Sequence, residues 1–171
     1  MANVAQTIYP VSQLPGTHQC WAAVVAMMLG RHGPDNQTII HQIISEARQR
    51  AVPMGTSGDA LDAASGPANL ARAFGFTYAD LRGRSSLPDG NYFAGLLRTA
   101  PFGLFGMRPG YGLHAIAINR LNGDFASLNS THAHGIDPAA GGSPFSRTLF
   151  QLVVPSQQRG ADMVGHCVIW R

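Results

Sequence analysis

The residue of this chain best suited to nucleophilic chemistry is Cys20. A segment with Pro15 and Gly16 leads to it, and the apolar run CWAAVVAMMLG that starts with it predicts a helix ending at Gly30. The first turn of a helix presents backbone N–H groups and the positive end of the helix dipole, and both favour a thiolate over a thiol. Because the thiolate is the nucleophile, we expect Cys20 to attack a carbonyl carbon. The alternative is an inert thiol buried near a helix start.

Attack by a thiolate requires a base that takes and returns a proton, and a group that holds this base in one tautomer. His114 starts the strand-like run HAIAIN, and Asp137 lies in the segment GIDPAAGG, after the second strand of a predicted hairpin. A carboxylate there can reach back over the neighbouring strand to the imidazole of His114. We therefore expect His114 to be the base and Asp137 to orient it. A structural role for His114, and an Asx turn at Asp137, are the alternatives. Asp124 and Asn129 also follow strands of this hairpin and compete with Asp137 as the orienting residue.

The negative charge that develops on an attacked carbonyl oxygen needs N–H donors. Gln13 precedes Cys20 by seven positions on the same loop, and Gln19 is directly adjacent to Cys20. The backbone N–H of Cys20 is a further donor. We predict that Gln13 serves the oxyanion hole, with Gln19 as the alternative.

The other histidines and the second cysteine raise the question of a metal site. His132 and His134 are two positions apart, and His166 precedes Cys167. A strand would place the first pair on one face, but HAH falls in a predicted loop and no compact third and fourth ligand pair is evident. We expect no metal and no organic cofactor. Cys167, in the apolar run HCVIW, is predicted to be a small buried residue of a final strand.

Helical patterns dominate the first hundred residues of the chain. Residues 1–19 read as a loop, and the helix that follows is apolar on every side, which predicts burial on every side. The next helix carries its apolar residues on one face. These residues are Ile39, Ile40, Ile43, Ile44 and Ala47. The segments ANLARAF and PDGNYFAGLLRT predict two further helices.

Short strand-like segments dominate the remainder. PFGLFGMR, LHAIAINRL, DFASLN and HCVIW are predicted strands, with a two-residue hairpin turn at Asn122-Gly123. TLFQLVV fits either a strand or a helix. Helices followed by an antiparallel sheet indicate an α+β fold, and the length of 171 residues fits one domain over residues 1–171.

Composition excludes several classes of protein. Hydrophobic residues form 45% of the chain and charged residues 12%, which excludes a disordered charged tail and a coiled coil. All 12 positive side chains are arginines, and they are scattered, so we expect no nucleic-acid partner. No apolar run approaches the roughly 20 residues that span a bilayer, and the N-terminus of the chain as given resembles no signal peptide. We therefore expect synthesis in the cytoplasm and no membrane partner.

Three segments resemble a known family. QLPGTHQCWAAVVAMML is similar to the nucleophile region of papain-like cysteine proteases, GLHAIAIN to their histidine strand, and GIDPAAGG to the Asp-Pro loop of a small bacterial branch. That branch includes plant-pathogen avirulence proteases and is related to bacteriocin-processing peptidases. In the family the oxyanion glutamine typically lies six positions before the cysteine, where this chain has Leu14, with Gln13 one position further back.

The resemblance implies a papain-like fold and a Cys20–His114–Asp137 triad that hydrolyses amide bonds without a cofactor. The expected partner is a protein or peptide substrate, with an immunity or inhibitor protein as a second partner. The same constellation of residues can carry out deamidation, transglutamination or peptidoglycan amidase chemistry. A non-enzymatic papain-like binding module is a further alternative. The small size and the lack of lysine suggest a bacterial effector or toxin that a specialised secretion system delivers into a target cell.

Overall fold

A mostly antiparallel sheet forms the middle of the molecule. The structure is a computed structural model that describes residues 1–14, 16–55, 60, 65–82, 84–108, 112–154 and 163–171. Within these residues the sheet has seven strands in the order β2-β7-β3-β4-β5-β6, and β1 pairs with the far half of β4. The strands are β1 (Ala2–Ala5), β2 (Thr77–Asp80), β3 (Phe102–Arg108), β4 (Gly112–Gly123), β5 (Thr131–Asp137), β6 (Ser143–Thr148) and β7 (Val164–Trp170).

Three N-terminal helices cover one face of this sheet. They are α1 (Cys20–Met28), α2 (Asn36–Gln49) and α3 (Gly66–Phe74). All nine residues of α1 are buried, because the helix lies between α2 and strands β3 and β4. Alanine side chains on β4, Ala115 and Ala117, contribute to the same core and allow a helix to approach the sheet closely. The α+β class predicted from the sequence is therefore correct.

Two short helices cover the opposite face. They are α4 (Gly90–Leu96) and α5 (Leu149–Val153), and they pack over the alternate residues of the strands. On β4 these residues are Ile116 and Ile118, which point away from α1, as the alternation of side chains along a strand requires. The molecule thus has two apolar cores, one on each face of a shared sheet.

Local signals in the sequence explain where several helices begin. The Asp35 side chain accepts a hydrogen bond from the Gln37 N–H at the start of α2, and the buried face of that helix is the predicted one. Asp89 accepts from the N–H groups of Asn91 and Tyr92 at the start of α4. Thr148 and Gln151 form a reciprocal capping box, which resolves the ambiguous segment TLFQLVV as helix α5.

Some sequence predictions were wrong. Residues 2–5 are a strand rather than part of a loop, because they pair with the far half of β4. DFASLN is not a strand: β4 ends at Gly123, Asp124 starts a connecting loop, and β5 begins at Thr131. The two-residue turn at Asn122-Gly123 is therefore wrong as well. The histidine pair His132 and His134 lies on β5 and not in a loop.

No helix among the described residues is long and apolar enough to cross a membrane.

Candidate active site

The chain reverses direction at one end of the sheet, just before Cys20. After β1 it continues along β4, where the backbones of Gln6 and Asn119 are hydrogen-bonded. It then reaches the end of β5, where the Gln13 N–H donates to the Pro138 carbonyl at 3.1 Å. From there α1 runs back across the sheet, with Val24 packed against Gly103 of β3. Helix α1 therefore begins near the end of the sheet at which β4 starts and β5 finishes.

Cys20 is the first residue of α1, as predicted, and is only 1% exposed. The N–H groups of Ala22 and Ala23 both donate to the carbonyl of Gln19, which closes the first turn around the cysteine. Helix α1 contacts β4 and also the short 3₁₀ turn Pro138–Ala140 that directly follows Asp137. The thiol is thus at the helix terminus where amides and dipole favour negative charge.

His114 and Asp137 are brought together across β4 and β5. The His114 Nε2 atom is 2.9 Å from Asp137 Oδ1, and His114 is only 1% exposed. The same oxygen accepts the N–H of Ala139 at 2.9 Å. Asp124 is turned elsewhere, because its Oδ1 accepts the N–H of Ala126. The histidine therefore pairs with the carboxylate expected from the sequence.

Asp137 is held in its ionised form despite partial burial. Burial works to raise the pKa of this carboxyl, but the hydrogen bond and charge of His114 outweigh it, aided by the Ala139 N–H and the Arg108 charge, so the pKa is lowered. An ionised carboxylate can only accept, so the Nε2 atom of His114 carries the proton that it donates. In the neutral ring Nδ1 is then the basic nitrogen.

The side chain of His114 points to the face of the sheet opposite α1. It shares that face with Ile116, and both line a small cavity of about 70 Å³ together with Asp137. Its neighbour Leu113 lines a larger cavity of about 290 Å³ on the α1 face, beside Phe105 and Cys167. His114 and Leu113 therefore face cavities on opposite sides of the sheet.

The two candidate oxyanion glutamines differ in their surroundings. The Gln13 side chain donates from Nε2 to the Thr17 carbonyl at 2.8 Å, which braces the loop before Cys20. Gln19 is 9% exposed, and its buried Oε1 accepts no hydrogen bond among the described residues. Gln13 also lines an open cavity with His18 and Ala139, between this loop and the turn after Asp137.

Cys167 is a buried residue of strand β7, as predicted. Burial raises the pKa of its thiol to about 12, and the charge of Asp80 adds to the effect. His132 and His134 lie on β5, where His134 Nε2 is 3.1 Å from Asn122 Oδ1. Among the residues described, no group of three or more His, Cys, Asp or Glu side chains could hold a metal ion.

The sequence reasoning missed Arg108. This residue ends β3, and its Nη1 atom is 3.7 Å from the second oxygen of Asp137. Arg147 of β6 lines the same cavity as His114. Both arginines lie outside the predicted motifs, and the available signal was the position of Arg108 at the end of a strand that pairs with the histidine strand.

The chain matches no protein-family model, and no curated protein is significantly similar to it.

Proposed function

We propose that this protein is a cysteine-nucleophile amide hydrolase with a papain-like fold and a triad of Cys20, His114 and Asp137. The observation that carries the proposal is the partly buried hydrogen bond of 2.9 Å between His114 and Asp137. It lies at the end of the sheet where the helix that begins with Cys20 starts. A base held by a carboxylate, beside a cysteine at a helix N-terminus, is the arrangement that acyl transfer through a thiolate needs.

The reaction follows from the proton positions. Cys20 gives its proton to Nδ1 of His114, and the resulting thiolate attacks the amide carbon. The imidazolium then protonates the leaving nitrogen as the C–N bond breaks, leaving an acyl thioester. A water molecule passes a proton to Nδ1 and attacks the thioester, which releases the acid and the thiolate. Asp137 stabilises the imidazolium formed in each half and keeps the ring in one tautomer.

The donors for the oxyanion come from the start of α1. The backbone N–H of Cys20 lies at the helix terminus, and the loop braced by Gln13 leads directly to it. The Gln13 Nε2 amide carries two hydrogens, and the Thr17 carbonyl accepts one of them. We keep Gln13 as the side-chain donor and Gln19, adjacent to the nucleophile, as the alternative.

The substrate that we propose is a protein or peptide. The cavity lined by Leu113 and Phe105 offers an apolar surface beside the histidine strand. Deamidation, transglutamination and peptidoglycan amidase chemistry use the same acyl thioester. The absence of lysine from the sequence accords with an effector or toxin delivered into another cell.

Alkylation by iodoacetamide at neutral pH tests the proposal. Cys20 should react at least about tenfold faster than an ordinary thiol, because a larger fraction of it is thiolate. Cys167 serves as an internal reference, since its raised pKa keeps it a thiol. His114→Ala should abolish the excess rate, whereas His134→Ala, a histidine on the next strand, should leave it unchanged. A Cys20 rate no higher than that of an ordinary exposed thiol would refute the enzyme.

A non-enzymatic binding module is the second candidate, and the burial of Cys20 favours it. In that case the cavities at this end of the sheet would hold a partner without bond cleavage. Mass spectrometry after incubation with peptide mixtures separates the two. The enzyme leaves cleaved or deamidated products and an acyl adduct on Cys20, and Cys20→Ala leaves neither.

A further inference from the structure

Arg108 pairs with the carboxylate oxygen of Asp137 that is not hydrogen-bonded to His114. The Nη1 atom of Arg108 lies 3.7 Å from Oδ2, while Oδ1 takes both the Nε2 proton of His114 and the N–H of Ala139. The Arg108 and Asp137 side chains are each 22% exposed, so water screens this pair only in part.

The position of Arg108 follows from strand pairing. In the β3–β4 ladder Gly106 lies opposite His114 and Arg108 lies opposite Gly112. Because side chains two residues apart share a face, Arg108 emerges on the same face as His114. A side chain at position 106 would collide with the Val164 carbonyl, which already fills that place, so β3 carries no side chain directly opposite His114. The Arg108 guanidinium approaches Asp137 from the next position of β3 on this face.

Both hydrogen-bond donors to the Asp137 carboxylate bind the same oxygen, Oδ1. These two bonds alone leave the carboxylate able to rotate about the bond that joins it to Cβ. Rotation would turn Oδ1 away from His114 and towards solvent, because Asp137 ends its strand and is partly exposed. A cation at Oδ2 opposes that rotation. It also offsets the cost of burying the carboxylate, since removing one partner of a buried pair leaves a charge uncompensated.

We propose that Arg108 is a positioning residue that holds Asp137 in the orientation in which Oδ1 faces His114. The inference rests on the proposed function, because it assigns Arg108 to the triad of the amide hydrolase. Arg108 does not touch the reacting atoms, and it acts through Asp137. Among the described residues, the charged and titratable groups that line the cavity with Asp137 are Arg108 from β3, His114 from β4 and Arg147 from β6.

Carboxyl NMR of Asp137 tests this assignment without any reliance on catalysis. The chain has nine Asp and Glu residues, so a Cys20→Ala protein with labelled carboxyls gives few signals to assign. Arg108→Gln should move the Asp137 titration to higher pH, because a cation that lowers its pKa is lost. Arg108→Lys should restore most of the difference. Arg120→Gln, which removes an equal charge from the exposed side of β4, should have no effect.

Alkylation of Cys20 tests the consequence for the site. Arg108→Gln should slow the reaction about tenfold, equivalent to about 1.4 kcal/mol. In an Asp137→Asn background the same change should have little further effect, because the residue through which it acts is gone. An unmoved Asp137 titration, or equal rate losses in both backgrounds, would overturn the role of Arg108. An ordinary Cys20 rate in the unmutated protein would instead refute the amide hydrolase, and the NMR result would still decide the Arg108–Asp137 coupling.

Discussion

At the scale of single residues, opposing effects act on the ionisation of one carboxyl group, that of Asp137. Partial burial alone would favour its protonated form, whereas hydrogen-bond donors and a nearby cation favour the ionised form. The helix start at Cys20 and the contact of His114 with Asp137 could be predicted from the sequence, because their local contexts are distinctive: a helix start, a strand start and an Asp-Pro turn. Arg108 could not, because its role depends on strand register, which the residues around it do not reveal.

The lowered pKa of Asp137 makes part of the free energy of unfolding depend on pH. A carboxyl with a lowered pKa stabilises the fold above its unfolded-state pKa of about 3.9, and the stabilisation is lost as pH falls through the lower folded value. Asp137→Asn should therefore cost about 1–3 kcal/mol at pH 7. The difference from the unmutated protein should shrink as pH falls from about 5 to about 2.

Denaturant unfolding at several pH values measures this difference. Asp124→Asn is the control, because Asp124 caps an exposed turn and has no part in the His114 pair. A difference that stayed constant from neutral to acid pH would show that the negative charge of Asp137 does not stabilise the fold.

At the scale of elements, the sequence predicted the helices better than the strand pairing. Helices α1, α2 and α4 carry their signals locally, in continuous apolar character, in one apolar face and in an Asp cap. Strand β1 carries no comparable signal, since only Val4 packs against a core and the strand is defined by its partner on β4. The β4–β5 connection was misjudged because Asn122-Gly123 resembles a hairpin turn, whereas β4 ends there and a longer loop follows.

The approach of α1 to the sheet depends on Gly103. A Cβ at this position would lie 2.9 Å from Val24 Cγ1 and 2.8 Å from Phe105 Cε2, and both of these side chains are buried. Gly103→Ala should therefore destabilise the fold by about 1–3 kcal/mol through overpacking. It should also slow the alkylation of Cys20, because α1 is pushed off the sheet that carries His114.

Gly95→Ala is the matched control for this change. A Cβ at Gly95 meets nothing within 4 Å, so alanine should instead stabilise α4, by about 0.5–1 kcal/mol. Urea unfolding of both variants gives the comparison. If Gly103→Ala were as stable as the unmutated protein, the packing of α1 on β3 would not require a glycine at position 103.

At the scale of the whole molecule, two cores share one sheet. Strand β4 sends Ala115 and Ala117 into one core and Ile116 and Ile118 into the other, so neither core can form without this strand. One domain over residues 1–171 stays a prediction. The two tryptophans report on the two cores separately: Trp21 is buried in the core on the α1 face, and Trp170 packs against the second core.

We predict one cooperative unfolding transition. In Trp170→Phe the fluorescence of Trp21 should change at the same denaturant concentration as the far-ultraviolet circular dichroism, and in Trp21→Phe the same should hold for Trp170. Separate midpoints for fluorescence and circular dichroism in either variant would mean that the two faces of the sheet fold independently.

We propose that the sulfur of Cys20 is a thiolate at neutral pH because His114 holds the compensating proton. The most direct measurement is the ultraviolet absorbance of the thiolate as a function of pH, taken as the difference between the unmutated protein and Cys20→Ala. The account predicts that this absorbance is present at pH 7, persists well below the ordinary thiol pKa of about 8.5, and moves up to that range in His114→Ala. A difference signal that emerges only above about pH 8.5, and is unaltered by His114→Ala, would contradict it.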